Sequence, residues 1–397
     1  MWEVFGVGLP SLLRKRASSD YYGAMQLRDL KTPSLILDVE RVRRNAARVC
    51  EIARRNKARL RPHIKTHKSV EVARIQTAGQ DGALTVSTLA EAEAFARHGF
   101  SDFTYAVPVE PGKFAAAIDL IRRGVRLNLI TDSAEIPELL DNAARRAGVT
   151  IPLFLKVDCG SHRCGVEPQA KEAVEIPRLI AASPNLEFAG ILTHAGHAYD
   201  AHSKNEVAAV ARAERDLMVE LAERLRRDSI EVPTISIGST PTIQHIDHLR
   251  GVDEIRPGNY IFFDAFQATL GSCSFADCAL TVLGAVVHRD RERKKVVIDA
   301  GAIALSKDRG AARSNGRCDY GRVLDLAGND LNVRVTSLSQ EHGVFDVTDD
   351  ATFDSLKVGS RIRILANHSC LTAAQHSHYH VLEQGQIVDR WEIHRGW

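Results

Sequence analysis

Arg61, Pro62, His63, Ile64, Lys65, Thr66, His67 and Lys68 place three cations and two imidazoles within eight consecutive residues. A lysine amine condenses with a carbonyl only when neutral, and one partly withdrawn from water gives up its proton more readily than an exposed one. Lys65 is therefore a Schiff-base candidate if the segment faces a cavity. If it faces solvent, Lys65 and Lys68 are surface cations, as most lysines are. Further along, Gly238, Ser239, Thr240, Pro241 and Thr242 supply a small residue, hydroxyls and backbone amides where a helix can begin. That chemistry cradles phosphate, although an ordinary N-capped loop has the same composition. Near the C-terminus His368 and Cys370 are separated by one residue. In an extended segment both side chains then project from one face and suit Zn²⁺, with the remaining positions open to water or substrate. A buried cysteine beside a core histidine fits the same spacing. His376, His378 and His380 alternate strictly and read as one polar face of a strand rather than as further ligands. Three more stretches carry catalytic residue types: DCGSHRCGV with Arg163, THAGHAYD with His194, His197 and Tyr199, and EIRPGNYIFFD with Tyr260.

These residues need elements to position them. From residue 33 onward, β-branched runs alternate with amphipathic helical patterns, the signature of βα units. Strands are predicted at 34–38, 58–65, 83–88, 103–109, 126–132, 151–158, 188–194, 234–239 and 254–264. That is one strand more than a (β/α)₈ barrel requires, and the first is the outlier. In such a barrel the active site lies at the C-terminal strand ends, where Lys65, His194 and Gly238-Ser239-Thr240 fall. A lysine on an early strand and a phosphate cradle on a late one together suggest pyridoxal phosphate. After about residue 275 the pattern changes to strands and turns without convincing helices, a second, all-β domain able to accept the stray first strand. The expected organisation is α/β: a barrel over 40–265 and a β domain over 275–397 joined by the strand at about 32–38.

Composition supports a small-molecule site. The 397 residues are too many for one ordinary core and call for a large barrel or two domains. With 52 basic and 50 acidic residues the formal charge is +2, which gives no reason to expect nucleic acid or an anionic membrane as partner. Seven scattered cysteines without a C-x-x-C pair argue against a disulfide framework and for reduced thiols in the cytoplasm. The N-terminal MWEVFGVGLPSLLRKRASSD places its apolar run before its basic residues, the reverse of a secretory signal, and no apolar run is long enough to cross a bilayer.

Taken together, these motifs resemble the fold-type III pyridoxal phosphate enzymes, and within them the D-serine dehydratase and D-threonine aldolase branch. The resemblance runs from about Thr32 to the C-terminus, with the motifs in order. It implies an alanine racemase-like barrel with a C-terminal β domain that takes up the first strand. It implies that Lys65 of RPHIKTHKS carries the cofactor, that Gly238, Ser239 and Thr240 bind its phosphate with Tyr260 beside them, and that Arg163 and Tyr199 lie near its phenolic oxygen and ring. NHSCLTAAQH resembles the His-x-Cys zinc pair of the D-serine and D-threo-3-hydroxyaspartate dehydratases, where the aldolases have His-x-Asp. TVSTLAEAE, LTHAG, GSTPT and DAGAIALSKDRG lean toward the hydroxyaspartate type; Ala366 departs from the Pro common before Asn-His in relatives. A homodimer acting on a small D-amino acid follows from the same resemblance.

The activity so implied is elimination of water from a D-3-hydroxy amino acid, giving a 2-oxo acid and ammonia. Lys65 would serve as base at Cα, and zinc on His368 and Cys370 would assist loss of the 3-hydroxyl. Retro-aldol cleavage to glycine and an aldehyde is the nearest alternative, and racemisation is another. A cofactor-binding homeostasis protein without turnover is the non-enzyme alternative, against which the added β domain and the His-x-Cys pair argue.

Overall fold

The computed structural model describes residues 25–310 and 319–397; the apolar-then-basic N-terminal run and Cys318 lie outside them. The strands are β1 (Ser34–Asp38), β2 (Arg59–Leu60), β3 (Leu84–Val86), β4 (Asp102–Pro108), β5 (Arg126–Thr131), β6 (Ile151–Lys156), β7 (Leu186–Leu192), β8 (Ile235–Ile237), β9 (Glu254–Ile255) and β10 (Leu280–Asp290), followed by shorter ones. β2 to β9 form a parallel sheet in the order β2-β9-β8-β7-β6-β5-β4-β3. A parallel bridge between His63 and Thr85 joins its two ends, with the Thr85 amide donating to the Pro62 carbonyl at 2.9 Å. The ring is thereby a (β/α)₈ barrel.

Helices pack on its outside. The helix Val39–Asn56 is capped by Asp38, whose carboxylate accepts from the Arg41 amide at 3.0 Å, and it ends at Lys57 in the left-handed region. Val39, Val42, Ala46, Val49 and Ala53 recur every three or four residues and are buried as one stripe.

β1 is not part of the barrel. It lies between β10, antiparallel, and the strand His378–Glu383, parallel, within a second sheet. Leu35, Ile36 and Leu37 are all buried there, which explains an apolar run without alternation: both faces are covered.

Two strands stop sooner than the sequence predicts. The ladder expected over 58–65 ends at Leu60, and that over 254–264 ends at Ile255. Pro62 and Pro257 lack the amide needed to continue the ladder. The chain then turns into the 3₁₀ segments Ile64–Thr66 and Asn259–Ile261, so Lys65 and Tyr260 sit on short turns beyond the strands. The β domain also contains helices that its sequence did not announce, among them Ser369–Gln375.

A charge network lies at the N-terminal strand ends, opposite the mouth. Arg61 meets Glu254 and Asp102 at 2.6 Å each; the Arg61 and Glu254 side chains are only 3 % exposed. Burial works to raise the Asp102 pKa, but Arg61 and Arg59 overcome it and hold the carboxyl below its usual range. Such a lowered group stabilises the fold above its unfolded pKa, and that contribution is lost as pH falls through the folded value. Arg61→Met strands the buried Glu254 and should cost about 3–5 kcal/mol. Urea unfolding near neutral pH measures the loss, and below about pH 4 the gap to wild type should narrow.

Candidate active site

The turn that carries Lys65 is fixed on both sides. Ile64 and Thr66 are buried, and the His63 ring Nδ1 accepts from the Lys65 amide at 3.4 Å. His67 is fully buried, its ring held by Gln76 at 2.8 Å and by the Ser69 amide at 3.0 Å; burial lowers its pKa to about 3. The Tyr379 hydroxyl, from the β domain, donates to the His67 carbonyl at 2.6 Å. The neighbouring cation is committed elsewhere: Lys68 Nζ pairs with buried Glu91 at 2.7 Å. Lys65 instead lines two adjoining cavities that also share Ser87 and Val107.

The first cavity, about 370 Å³, lies over the barrel mouth and is walled by Lys65, Lys156, Arg163, Arg256, His63 and His194 among others, with no carboxylate in its lining. Lys156 is buried with its ammonium on the Val157 carbonyl at 3.0 Å, and burial pulls its pKa down. Arg256 is held by the Ser236 hydroxyl and the Thr193 carbonyl, and burial lowers it to about 10. Burial and the adjacent Lys65 charge hold His63 and His194 well below the usual imidazole value, so both are neutral. Cations withdrawn from water without counter-charge in the same wall call for an anion. A phosphate-bearing carbonyl cofactor meets that need and offers Lys65 its electrophile.

Gly238 lines the same cavity at φ +114°, where a Cβ would lie 3.1 Å from Ile243. The Gly238 amide is spent on Glu214 at 3.1 Å and the Ser239 amide on the Thr242 hydroxyl at 3.0 Å. Thr240, first in the helix Thr240–His245, has no intrahelical partner for its amide. Arg163 is exposed on the following side, in a loop that Asp158 gathers by accepting from the amides of Gly160, Ser161 and His162.

His368 and Cys370 come together, though not on an extended segment. His368 is the extended N-cap residue of Ser369–Gln375 and Cys370 lies in its first turn. The two side chains are in hydrogen-bond contact; burial opposes charge on both, yet this contact pushes His368 up to about 10 and holds the Cys370 thiol below its ordinary value. Asp308 takes His368 Nδ1 at 2.5 Å, fixing the ring and leaving Nε2 as the ligand atom. A carboxylate-oriented imidazole beside a thiolate is a donor set for zinc with open positions. Asn367, next to Ala366, holds the turn by donating to the carbonyls of Asp308 and Asp319. Cys370 Sγ also lies 3.2 Å from the Thr66 hydroxyl, so the β domain reaches the Lys65 turn directly.

The remaining sequence candidates are dispersed. Tyr199 stacks on Phe266 at 6.0 Å with its hydroxyl toward Gln267 and Thr240, in a third cavity shared with His368. The Tyr260 amide donates to Thr240 Oγ1 at 3.1 Å, but its phenol is buried on the side of Cys50 and Gln76 and lines neither Lys65 cavity. His378 and His380 face each other 3.3 Å apart on their strand, away from Cys370. Asp158, His162 and Glu167 also bring their donor atoms within 4.8 Å of one another, but Asp158 is already occupied by loop amides. Lys156, Arg256 and Asp308 escaped the sequence reading, because a single cation or carboxylate in a strand or loop carries no spacing signal.

Two family models cover this arrangement: the alanine racemase N-terminal domain over residues 37–265 and the putative serine dehydratase domain over 279–382. The chain is 38 % identical to the D-threo-3-hydroxyaspartate dehydratase of Delftia sp. strain HT23, across 93 % of this chain and 98 % of that one. The chain belongs to the serine dehydratase branch of the alanine racemase-like family. Another member of that branch, the D-serine dehydratase of Dictyostelium discoideum, is 33 % identical across 94 % and 98 %. A solved D-threo-3-hydroxyaspartate dehydratase, a cysteine-to-alanine variant in the metal-free form, superposes with a TM-score of 0.90 at 37 % identity over 94 % of this chain and all of that one. Aldolases of the family match less closely, as with the 29 % identical 3-hydroxy-D-aspartate aldolase of Paracoccus denitrificans.

Proposed function

We propose that the protein is a pyridoxal phosphate- and zinc-dependent dehydratase that removes water from a D-3-hydroxy amino acid such as D-serine or D-threo-3-hydroxyaspartate, releasing a 2-oxo acid and ammonia. One observation carries the reading: Lys65 lines both the cationic cavity and the cavity containing His368 and Cys370. An amine able to hold a carbonyl cofactor thus shares a space with a metal donor pair.

Lys65 would hold the cofactor at rest, and once the substrate amine has replaced it there its freed Nζ would be the base for the Cα proton. Bound pyridoxal phosphate supplies an electron sink for the charge left at Cα. His368 and Cys370 hold the zinc, which supplies Lewis acidity for departure of the 3-hydroxyl. Asp308 keeps the His368 ring oriented. Arg256, Lys156 and Arg163 would supply positive charge around the cofactor, and the Gly238-Ser239-Thr240 turn would meet its phosphate through the Thr240 amide, with Tyr260 supporting Thr240 from behind through its amide and Tyr199 facing Thr240. The metal assignment draws support from relatives: the dehydratase has been solved as a cysteine variant in metal-free form and as a histidine variant, the two altered residues being two positions apart, as His368 and Cys370 are.

A homodimer suits the exposed apolar residues around the mouth, Val107 at 41 % and Leu371 at 45 % exposure. The six described cysteines are all free thiols, which suits a reducing compartment such as the cytoplasm. No helix among the described residues is long and apolar enough to cross a membrane.

Zinc-supplemented protein should convert members of a D-3-hydroxy amino acid panel to 2-oxo acid plus ammonia in equal amounts. Glycine with an aldehyde as the main products would establish the aldolase instead, and inverted substrate without oxo acid a racemase.

A further inference from the structure

We infer that Lys113 anchors a second carboxylate on the substrate, which makes a D-3-hydroxy amino dicarboxylate the preferred class. This rests on the dehydratase reading above. The cavity that holds Lys65, His368 and Cys370 is about 520 Å³, more than D-serine occupies, and its lining includes three lysines and neither aspartate nor glutamate. Two of those lysines have other duties. Lys65 carries the cofactor, and Lys68 is neutralised by buried Glu91 at 2.7 Å. Lys113 has no ion pair and no side-chain hydrogen bond among the described residues.

Its placement fits a substrate anchor. Lys113 closes the 3₁₀ turn Pro111–Lys113 just beyond β4, at the C-terminal end of a barrel strand, where such folds place groups that meet substrate. Glu110 and Gly112 build that turn through a 2.6 Å bond from the Gly112 amide to the Glu110 carboxylate. A substrate whose Cα faces Lys65 and whose 3-hydroxyl faces His368 and Cys370 must direct its remaining Cβ substituent into the rest of this cavity. The other space beside His368 is smaller, about 250 Å³, and its Asp264 and Asp308 carboxylates, already bonded to the Ser369 amide and the His368 ring, lie beside Arg309, so its wall is of mixed charge. Within the Lys65 cavity Lys113 is the uncommitted cation that a carboxylate at that position would meet, and an ammonium on a flexible stem suits it as a point charge. D-Serine has no group to place there.

The test compares wild type, Lys113→Met and Lys113→Arg as cofactor- and zinc-loaded enzymes. The first readout is the ratio of kcat/KM for D-threo-3-hydroxyaspartate to that for D-serine, measured by oxo acid release. The second is the affinity for D-malate against D-lactate, measured by calorimetry. Lys113→Met should lower the kcat/KM ratio about 10- to 100-fold, the worth of one charge-assisted hydrogen bond, and remove the preference for D-malate, while Lys113→Arg retains most of both. A ratio within about two-fold of wild type in Lys113→Met, with D-malate preference intact, overturns the assignment; the change lies far below one such bond. If no substrate yields oxo acid, the dehydratase reading fails. The Lys113 assignment then stands if the D-malate preference of wild type disappears in Lys113→Met, and falls if it does not.

Discussion

Lys65→Ala should eliminate the cofactor adduct trapped by borohydride and lower turnover by at least about 10³-fold, because the proposed function makes one side chain both the covalent anchor and the Cα base. Peptide mass spectrometry of the reduced wild-type protein should find the label on Lys65. The competing site is Lys68, three residues on. Its backbone is turned into the left-handed region at φ +49° and its ammonium is bound to Glu91, whose side chain has no exposure to solvent. Moving Lys68 to the cofactor would leave that carboxylate unpaired in the interior, at a cost of about 3–5 kcal/mol. A label that persists on Lys68 in Lys65→Ala would show that the pairing does not hold Lys68 away, and the assignment would fail.

The second large effect concerns the metal. Cys370→Ala should reduce bound zinc to below about a tenth of an equivalent and cut elimination by about 10²- to 10⁴-fold, the worth of several kcal/mol of Lewis-acid assistance. The borohydride adduct on Lys65 should remain, since the proposed function gives the thiol no part in holding the cofactor. Metal analysis and adduct yield on the same preparation separate the two roles. Retained zinc with lost adduct would place Cys370 on the cofactor side. Asp308→Asn should weaken zinc less, by about 10- to 100-fold, because it loosens only the His368 ring orientation.

The barrel was legible in the sequence because βα alternation is a periodic signal repeated around a ring. The extra strand was legible by count, since an eight-strand barrel has no place for β1. The ends of β2 and β9 were misjudged for a local reason: each has a proline two residues past its last paired residue, and an apolar pattern says nothing about a missing amide. The same limit applies at His368 and Cys370. Their spacing predicts strand geometry, but Asp264, from the end of the barrel, caps the serine between them by accepting from its amide at 3.0 Å and starts a helix there. The pair meets because an extended N-cap residue and a first-turn residue lie close together, which a strand model would have reached by another route. Lys156, Arg256 and Lys113 were illegible because their significance is electrostatic. It depends on which walls lack a carboxylate, and that becomes visible only once the barrel is closed.

Titration of zinc into metal-stripped, cofactor-loaded protein, with D-serine as substrate and pyruvate as readout, tests the joint action of Lys65 with His368 and Cys370 most directly. Pyruvate formation should rise linearly with added zinc and saturate at about one equivalent per chain, with ammonia in equal yield and no glycine. Full pyruvate formation before any zinc is added, or glycine as the main product at saturation, would contradict that joint action.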